Sequence, residues 1–116
     1  VAMVSLLLRA QSNAANPLVR LEVLKQVLAH DIARDIEVLA AICGRCWQDL
    51  RNPEILSMYL EVLANNTQGQ DSFNHIIADM INVPSLRDAV LVAIRAEGRS
   101  DVLSNALKSL FELYQN

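Results

Sequence analysis

Two cysteines three positions apart are the residues in this sequence best suited to metal or redox chemistry. Cys43 and Cys46 form one Cys-x-x-Cys pair, a spacing found in zinc sites and in thiol redox motifs. A zinc site needs two further ligands, and the only histidines, His30 and His75, lie at unrelated spacings. A redox motif is expected in a βαβ unit, which this sequence does not predict. The favoured interpretation is a pair of reduced cysteines buried in a helix, which is typical of a reducing compartment.

His30 is followed directly by Asp31, and this pair resembles the metal-binding dipeptide of the all-helical HD-type phosphohydrolases. Those enzymes need a further metal-ligand histidine upstream, and no histidine precedes His30. Helix ends explain both residues, because a cation is favoured at a helix C-terminus and Asp at an N-terminus. His75 and Asp79, one turn apart, could form an acid/base pair, but a surface hydrogen bond is the simpler interpretation. We therefore predict a protein that is not an enzyme and holds no metal or cofactor.

The composition predicts a helical protein of one domain, residues 1–116. Apolar residues make up 53% of the chain and aromatic residues only 4%, so aliphatic side chains must fill the core. The chain has only three glycines and three prolines, the residues that hairpin turns need most, so a fold rich in hairpins is disfavoured. The net charge of −3 argues against nucleic acid as a partner, and the apolar runs are too short to span a membrane. An intracellular, cytoplasmic location is expected, and the helical pattern at the chain end indicates a fragment of a longer protein.

The spacing of apolar residues predicts about seven helices and no strands. The predicted helices cover about residues 1–11, 17–30, 31–50, 53–64, 71–81, 84–96 and 100–114. Asn16–Pro17 and Asn52–Pro53 each supply an N-cap residue followed by Pro at the first helical position. Asp31 is the expected cap of the third and longest helix, and Asp71 or Ser72 that of the fifth. Gly98 is expected to end the sixth helix, and Ser100 to cap the last one.

The apolar pattern of the fourth predicted helix recurs elsewhere in the chain. Its members Ile55, Leu56, Ser57, Leu60 and Leu63 are matched 47 residues later by Val102, Leu103, Ser104, Leu107 and Leu110. A weaker match precedes them by 36 residues, at Val19, Leu24 and Val27. The two offsets average about 42 residues, which is within the period of armadillo and HEAT repeats.

On this pattern the chain resembles the armadillo family, whose repeat has a short first helix, a second helix and a longer third helix. The best match is residues 71–114. It is preceded by a repeat at 32–64 with fused first and second helices, and by a truncated repeat at 1–30. The resemblance implies a right-handed superhelical stack of about two and a half repeats. It also implies a non-catalytic scaffold or adaptor that binds a protein partner along a groove lined by its third helices.

The resemblance assigns positions in that groove, although the family's ladders of Asn and Trp residues are missing here. The aligned Asn positions are Gln26, Val62 and Ser109, and the aligned Trp positions are Glu22, Met58 and Asn105. We therefore expect a mode of binding that differs from the family's recognition of extended basic peptides. Met58 and Val62 are the expected centre of the contact, because exposed apolar residues on the concave side would mark a partner site.

Other architectures and functions fit the same helices. A closed helical bundle would suit a compact regulator or chaperone, for example of a bacterial secretion system, that dimerises or binds a partner helix. An all-helical metal hydrolase is a third hypothesis. For the scaffold, the expected partner is another protein or a neighbouring domain of the same chain, and a homodimer is also possible. Trp47, Tyr59 and Tyr114 lie on apolar helical faces, where we expect them to pack in the core.

Overall fold

The part of the chain that the structure describes is built from helices. A computed structural model describes residues 16–115, and the side chains of residues 16–113. Its α-helices are α1 (Pro17–Ala29), α2 (Ile36–Arg45), α3 (Pro53–Ala64), α4 (Gln70–Ile81), α5 (Pro84–Arg95) and α6 (Asp101–Gln115), with 3₁₀ turns at Asp31–Arg34 and Asp49–Arg51. Residues 16–115 contain no strand, so the all-α prediction is confirmed. The predicted helix over residues 1–11 lies outside the described residues.

The two Asn–Pro pairs start α1 and α3 as the sequence predicts. The side-chain oxygen of Asn16 accepts a hydrogen bond from the backbone N–H of Leu18 at 2.9 Å. The side-chain oxygen of Asn52 accepts from the N–H groups of Glu54 at 3.0 Å and Ile55 at 3.3 Å. These bonds satisfy N–H groups that have no partner within the helix, and the following Pro has no N–H to satisfy.

The predicted third helix is wrong in its start and its length. His30 caps a separate 3₁₀ turn, with its Nδ1 accepting from the N–H of Ile32 at 3.1 Å. Asp35, and not Asp31, caps α2, because its carboxylate accepts from the N–H of Glu37 at 2.8 Å. Short polar side chains compete with the helical backbone in this way, which interrupts the predicted helix. The helix α2 has only ten residues and is followed by a second 3₁₀ turn.

The later helix ends follow the predicted signals in part. Ser100 precedes α6 as expected, and its hydroxyl oxygen accepts from the N–H of Leu103 at 3.1 Å. The helix α4 starts earlier than the predicted cap at residues 71–72, directly after Gly69, whose φ of 93° favours glycine. Gly98, with a φ of 87°, turns the chain towards α6, but α5 has already ended before it.

The helix α3 lies at the centre of the fold, since it packs against each of the other described helices. Its buried side chains, Ile55, Leu56, Tyr59, Leu60 and Leu63, form the apolar face that the sequence predicts. The radius of gyration is 13.5 Å, which is the value of a compact domain of about this length. The core is therefore organised around α3.

Tyr59 packs in the core, as predicted, and also joins two helices. Its hydroxyl donates to the backbone carbonyl of Leu39 in α2 at 2.7 Å. Burial raises the pKa of Tyr59 well above its ordinary value. Trp47 is half-buried and packs against the core. The side chain of Tyr114 lies outside the described residues.

We expect Tyr59→Phe to lower the free energy of unfolding by about 1–2 kcal/mol, because the ring stays buried while the hydrogen bond to Leu39 is lost. Urea denaturation of the wild-type chain and the variant measures this difference. An unchanged denaturation midpoint would show that the bond between α2 and α3 makes no net contribution.

Candidate functional site

The six residues that the armadillo alignment places in a groove lie on α1, α3 and α6. Four of them are exposed, namely Glu22 and Gln26 on α1 with Asn105 and Ser109 on α6. Met58 and Val62, on α3, are half-buried and pack against the core. The helix α3 packs against both α1 and α6, so the three helices that carry these residues are neighbours in space.

Two ion pairs place α1 beside α3 and the turn before it. The Nε atom of Arg20 lies 3.2 Å from a carboxylate oxygen of Asp49, and both side chains are largely buried. The Nζ atom of Lys25 lies 3.2 Å from a carboxylate oxygen of Glu54 in a more exposed position. In both pairs the acid follows the base by 29 residues. The chain therefore runs in the same direction in α1 as in the segment from Asp49 to Glu54, where α3 begins.

Polar contacts also fix the position of α6. The carboxylate of Glu61 in α3 accepts hydrogen bonds from the backbone N–H of Ser100 at 3.0 Å and from its hydroxyl. The side-chain amide of Gln70 in α4 donates to the carbonyl of Ala106 at 2.9 Å. The start and the middle of α6 are thus each held by a different helix.

A shallow polar cleft lies beside Val62, between the C-terminal ends of α1 and α3. Its volume is about 240 Å³. Its lining residues are Leu28, Ala29, His30, Asp31, Arg34, Glu61, Val62 and Asn65. The structure thus brings the His30–Asp31 dipeptide next to one of the predicted groove residues. Within residues 16–113, no group of three or more His, Cys, Asp and Glu side chains is placed to hold a metal ion.

A second, apolar groove lies between α3, α5 and the start of α6, where the sequence predicts no site. Its volume is about 380 Å³. Its aliphatic lining is formed by Leu56, Leu60, Ala89, Val92, Ala93, Ala96 and Leu103. Its charged lining residues are Arg51, Asp88, Glu97 and Arg99. Val92 is 69% exposed and Ala89 and Ala93 are half-buried, whereas Leu56, Leu60 and Leu103 are buried and form the floor of the groove. We name it the α3–α5 groove.

The sequence of α5 explains why this groove is open. Leu86, Val90 and Ile94 are buried on one face of the helix. Ala89 and Ala93, one turn apart on the flank towards the groove, are too small to fill the space beside α3. Both alanines belong to the apolar face that the residue spacing predicts for α5, and this spacing does not indicate whether the flank has a neighbouring helix.

The two cysteines are free thiols in a shielded environment. Cys43 is half-buried and Cys46 is buried. Burial raises the pKa of Cys43, and the carboxylate of Asp79 raises it further. Burial, with a smaller contribution from Asp49, raises the pKa of Cys46 to about 11. Thiols with raised pKa values are poor nucleophiles at neutral pH.

We expect the pKa of Cys46 to make the stability of the protein depend on pH above 9. The ordinary thiol pKa is 9.0 and the folded value is about 11, so the unfolded chain loses this proton first. The stabilising contribution is complete below pH 9 and is lost as the pH rises towards 11. Urea denaturation at several pH values should show a steeper loss for the wild-type chain than for Cys46→Ala. Parallel profiles would contradict the shifted pKa.

His75 and Asp79 do not form the hydrogen bond that the sequence analysis favoured. Both side chains are exposed on α4, and the hydrogen bonds and ion pairs of the described residues include none between them. Asp79 instead lines a cleft of about 290 Å³ between α2 and α4, together with Cys43 and Trp47. The carboxylate of Asp79 also contributes to the raised pKa values of Cys43 and Tyr59.

The comparisons with known proteins give a family but no function. The sequence matches, over residues 1–111, the family profile described as Protein of unknown function (DUF3549). No curated protein and no solved structure matches the chain. Among the described helices, none has the length and apolar character needed to cross a membrane.

Proposed function

The chain belongs to the DUF3549 family, and we propose that it is a non-catalytic module that binds a protein partner in the α3–α5 groove. The observation that carries this proposal is the open aliphatic lining around Val92, beside charged residues that include Arg51 and Asp88. Single exposed apolar residues are common on protein surfaces. A continuous apolar surface with a charged rim is instead typical of interfaces, whose centre is apolar and whose edge is polar.

The proposal includes an armadillo-like arrangement, in which α1, α3 and α6 take the place of third helices. Two features support it: α1 runs in the same direction as α3, and α3 contacts both α1 and α6. In this arrangement Met58 and Val62 form a second candidate face. They lie on the opposite flank of α3 from Leu56 and Leu60, because successive residues are rotated by about 100° around a helix.

Capture of partners by the purified chain from an extract of its own source organism tests the groove. We expect a protein that binds the wild-type chain to be lost, by about tenfold or more, when Val92→Asp places a charge in the apolar groove. Val102→Asp is the matched control, because Val102 is an exposed valine outside the groove. Circular dichroism should show that both variants fold, since neither valine is buried.

A further variant used for capture, Met58→Ala combined with Val62→Ala, distinguishes the two candidate faces. If Met58→Ala combined with Val62→Ala abolishes capture and Val92→Asp does not, the partner binds the face lined by α1, α3 and α6. If all baits capture the same proteins equally, the α3–α5 groove is not a binding site for them.

A second candidate function is a compact helical regulator that acts by dimerising. Phe111 near the end of α6 favours it, because this large apolar side chain is 43% exposed and lines a cleft together with Leu107, which is typical of an association surface. Light scattering at increasing protein concentration should then give the mass of a dimer, and Phe111→Ser should restore the monomer. A monomer at all concentrations would exclude this candidate.

A further inference from the structure

The length of the α3–α5 groove is set by the helices on its two sides. Its lining on α3 extends from Pro53 to Leu60, and its apolar lining on α5 extends from Ala89 to Ala96. The ends of each stretch are seven positions apart in the sequence. At a rise of about 1.5 Å per residue, each side is about 10 Å long, which is two helical turns.

One end of the groove is closed by the loop between α5 and α6. The guanidinium of Arg99 donates to the carbonyl of Ile94 in α5, and the backbone N–H of Ser100 donates to the carboxylate of Glu61 in α3 at 3.0 Å. The loop is therefore bonded to both sides of the groove, and Gly98 within it lines the closed end. A bound segment can contact the apolar floor over about two helical turns.

The groove offers little to the backbone of an extended peptide. Between its charged ends, Ser57 has the only polar side chain among the lining residues. Residues 16–115 contain no strand whose edge could pair with a peptide. Backbone N–H and C=O groups that leave water need hydrogen-bond partners, and a helix satisfies its own. An apolar floor without such partners favours a helix as the bound segment.

The number of side chains that reach the floor favours the same conformation. Over about 10 Å an extended segment, with a rise of about 3.3 Å per residue, directs about two side chains to one face. A helix of equal length directs about three, at positions i, i+3 or i+4, and i+7. Three aliphatic side chains fill more of the groove, whose volume is about 380 Å³.

The open end of the groove carries two exposed charges. Arg51 and Asp88 line this end, and the 3₁₀ turn that contains Arg51 packs against α5. Among the described residues, neither side chain takes part in an ion pair or a hydrogen bond. Arg51 can therefore pair with a carboxylate of a bound segment.

We propose that the partner places a short amphipathic helix in the α3–α5 groove. Its aliphatic side chains at i, i+3 or i+4, and i+7 lie on the floor formed by Leu56, Leu60 and Leu103, and an acidic side chain beside them pairs with Arg51. This inference rests on the proposed function and adds the conformation and the charge of the bound segment.

Selection from a phage library of random 16-residue peptides tests the inference. Peptides are selected on the wild-type chain and counter-selected on Val92→Asp, so that the remaining binders need the groove. We expect them to share the three aliphatic positions, and their circular dichroism should gain helical signal when the chain is added. A proline between the aliphatic positions should weaken binding by about tenfold or more, whereas a proline at the start of the helix is the control.

Arg51→Glu tests the charge of the bound segment. We expect this variant to bind the selected peptides about tenfold more weakly, and lysine in place of their acidic residue should restore binding. Arg95→Glu is the matched control, because Arg95 is exposed on α5 outside the groove. Equal binding by the two variants would contradict the pairing with Arg51.

Selected peptides that alternate apolar and polar residues, or that tolerate the central proline, would overturn the inference, because they bind in an extended conformation. Failure to enrich any peptide that needs Val92 would overturn it as well. If capture of a protein depends on Val92 while no helical peptide is enriched, the proposed function stands and this inference alone fails.

Discussion

Leu63→Ala is expected to lower the free energy of unfolding by about 2–5 kcal/mol. Leu63 is fully buried on α3, which packs against all the other described helices, so the cavity is enclosed by several elements at once. Urea denaturation measures the loss. Leu113→Ala is the matched control, since Leu113 is 62% exposed on α6 and its truncation should change stability by no more than about 0.5 kcal/mol. Similar losses for the two variants would contradict the central position of α3.

Arg20→Met is expected to lower the free energy of unfolding by roughly 2–4 kcal/mol. The substitution keeps the apolar stem of the side chain but removes the cation beside the buried carboxylate of Asp49. Asp49 precedes α3 and Arg20 lies on α1, so the loss also weakens the contact between these segments.

The ion pair of Lys25 with Glu54, which joins α1 to α3, is the control for this prediction. Lys25→Met removes a cation whose partner, Glu54, is mostly exposed, and a pair of this kind contributes no more than about 1 kcal/mol. If Lys25→Met costs as much stability as Arg20→Met, burial of Asp49 is not the reason for the larger effect.

The helices could be predicted from the sequence where local signals and apolar spacing agree. Asn52 and Pro53 mark the start of α3, and the spacing of its apolar residues identifies its five buried side chains. The break before α2 could not be predicted in this way. Ile32 and Ile36 keep the same apolar spacing whether or not the backbone turns between them, and the capping bond of Asp35 decides the outcome.

The candidate site could be predicted less well than the helices, because the exposure of a side chain depends on which helices pack beside it. Alignment of leucines assigns Met58 and Val62 to the concave side but does not give their exposure, and in the structure both are half-buried and pack against the core. The α3–α5 groove depends on the space that Ala89 leaves next to Leu56 and Leu60, which belong to a distant part of the chain. The spacing of apolar residues within one helix does not predict a contact between distant parts of the chain.

Thiol labelling in the presence of a captured partner tests most directly whether the α3–α5 groove is the binding surface. We expect binding to slow the labelling of Val92→Cys by about tenfold or more and to leave that of Val102→Cys unchanged. If Val92→Cys reacts at the same rate with and without a saturating partner, the groove is not the surface that binds it.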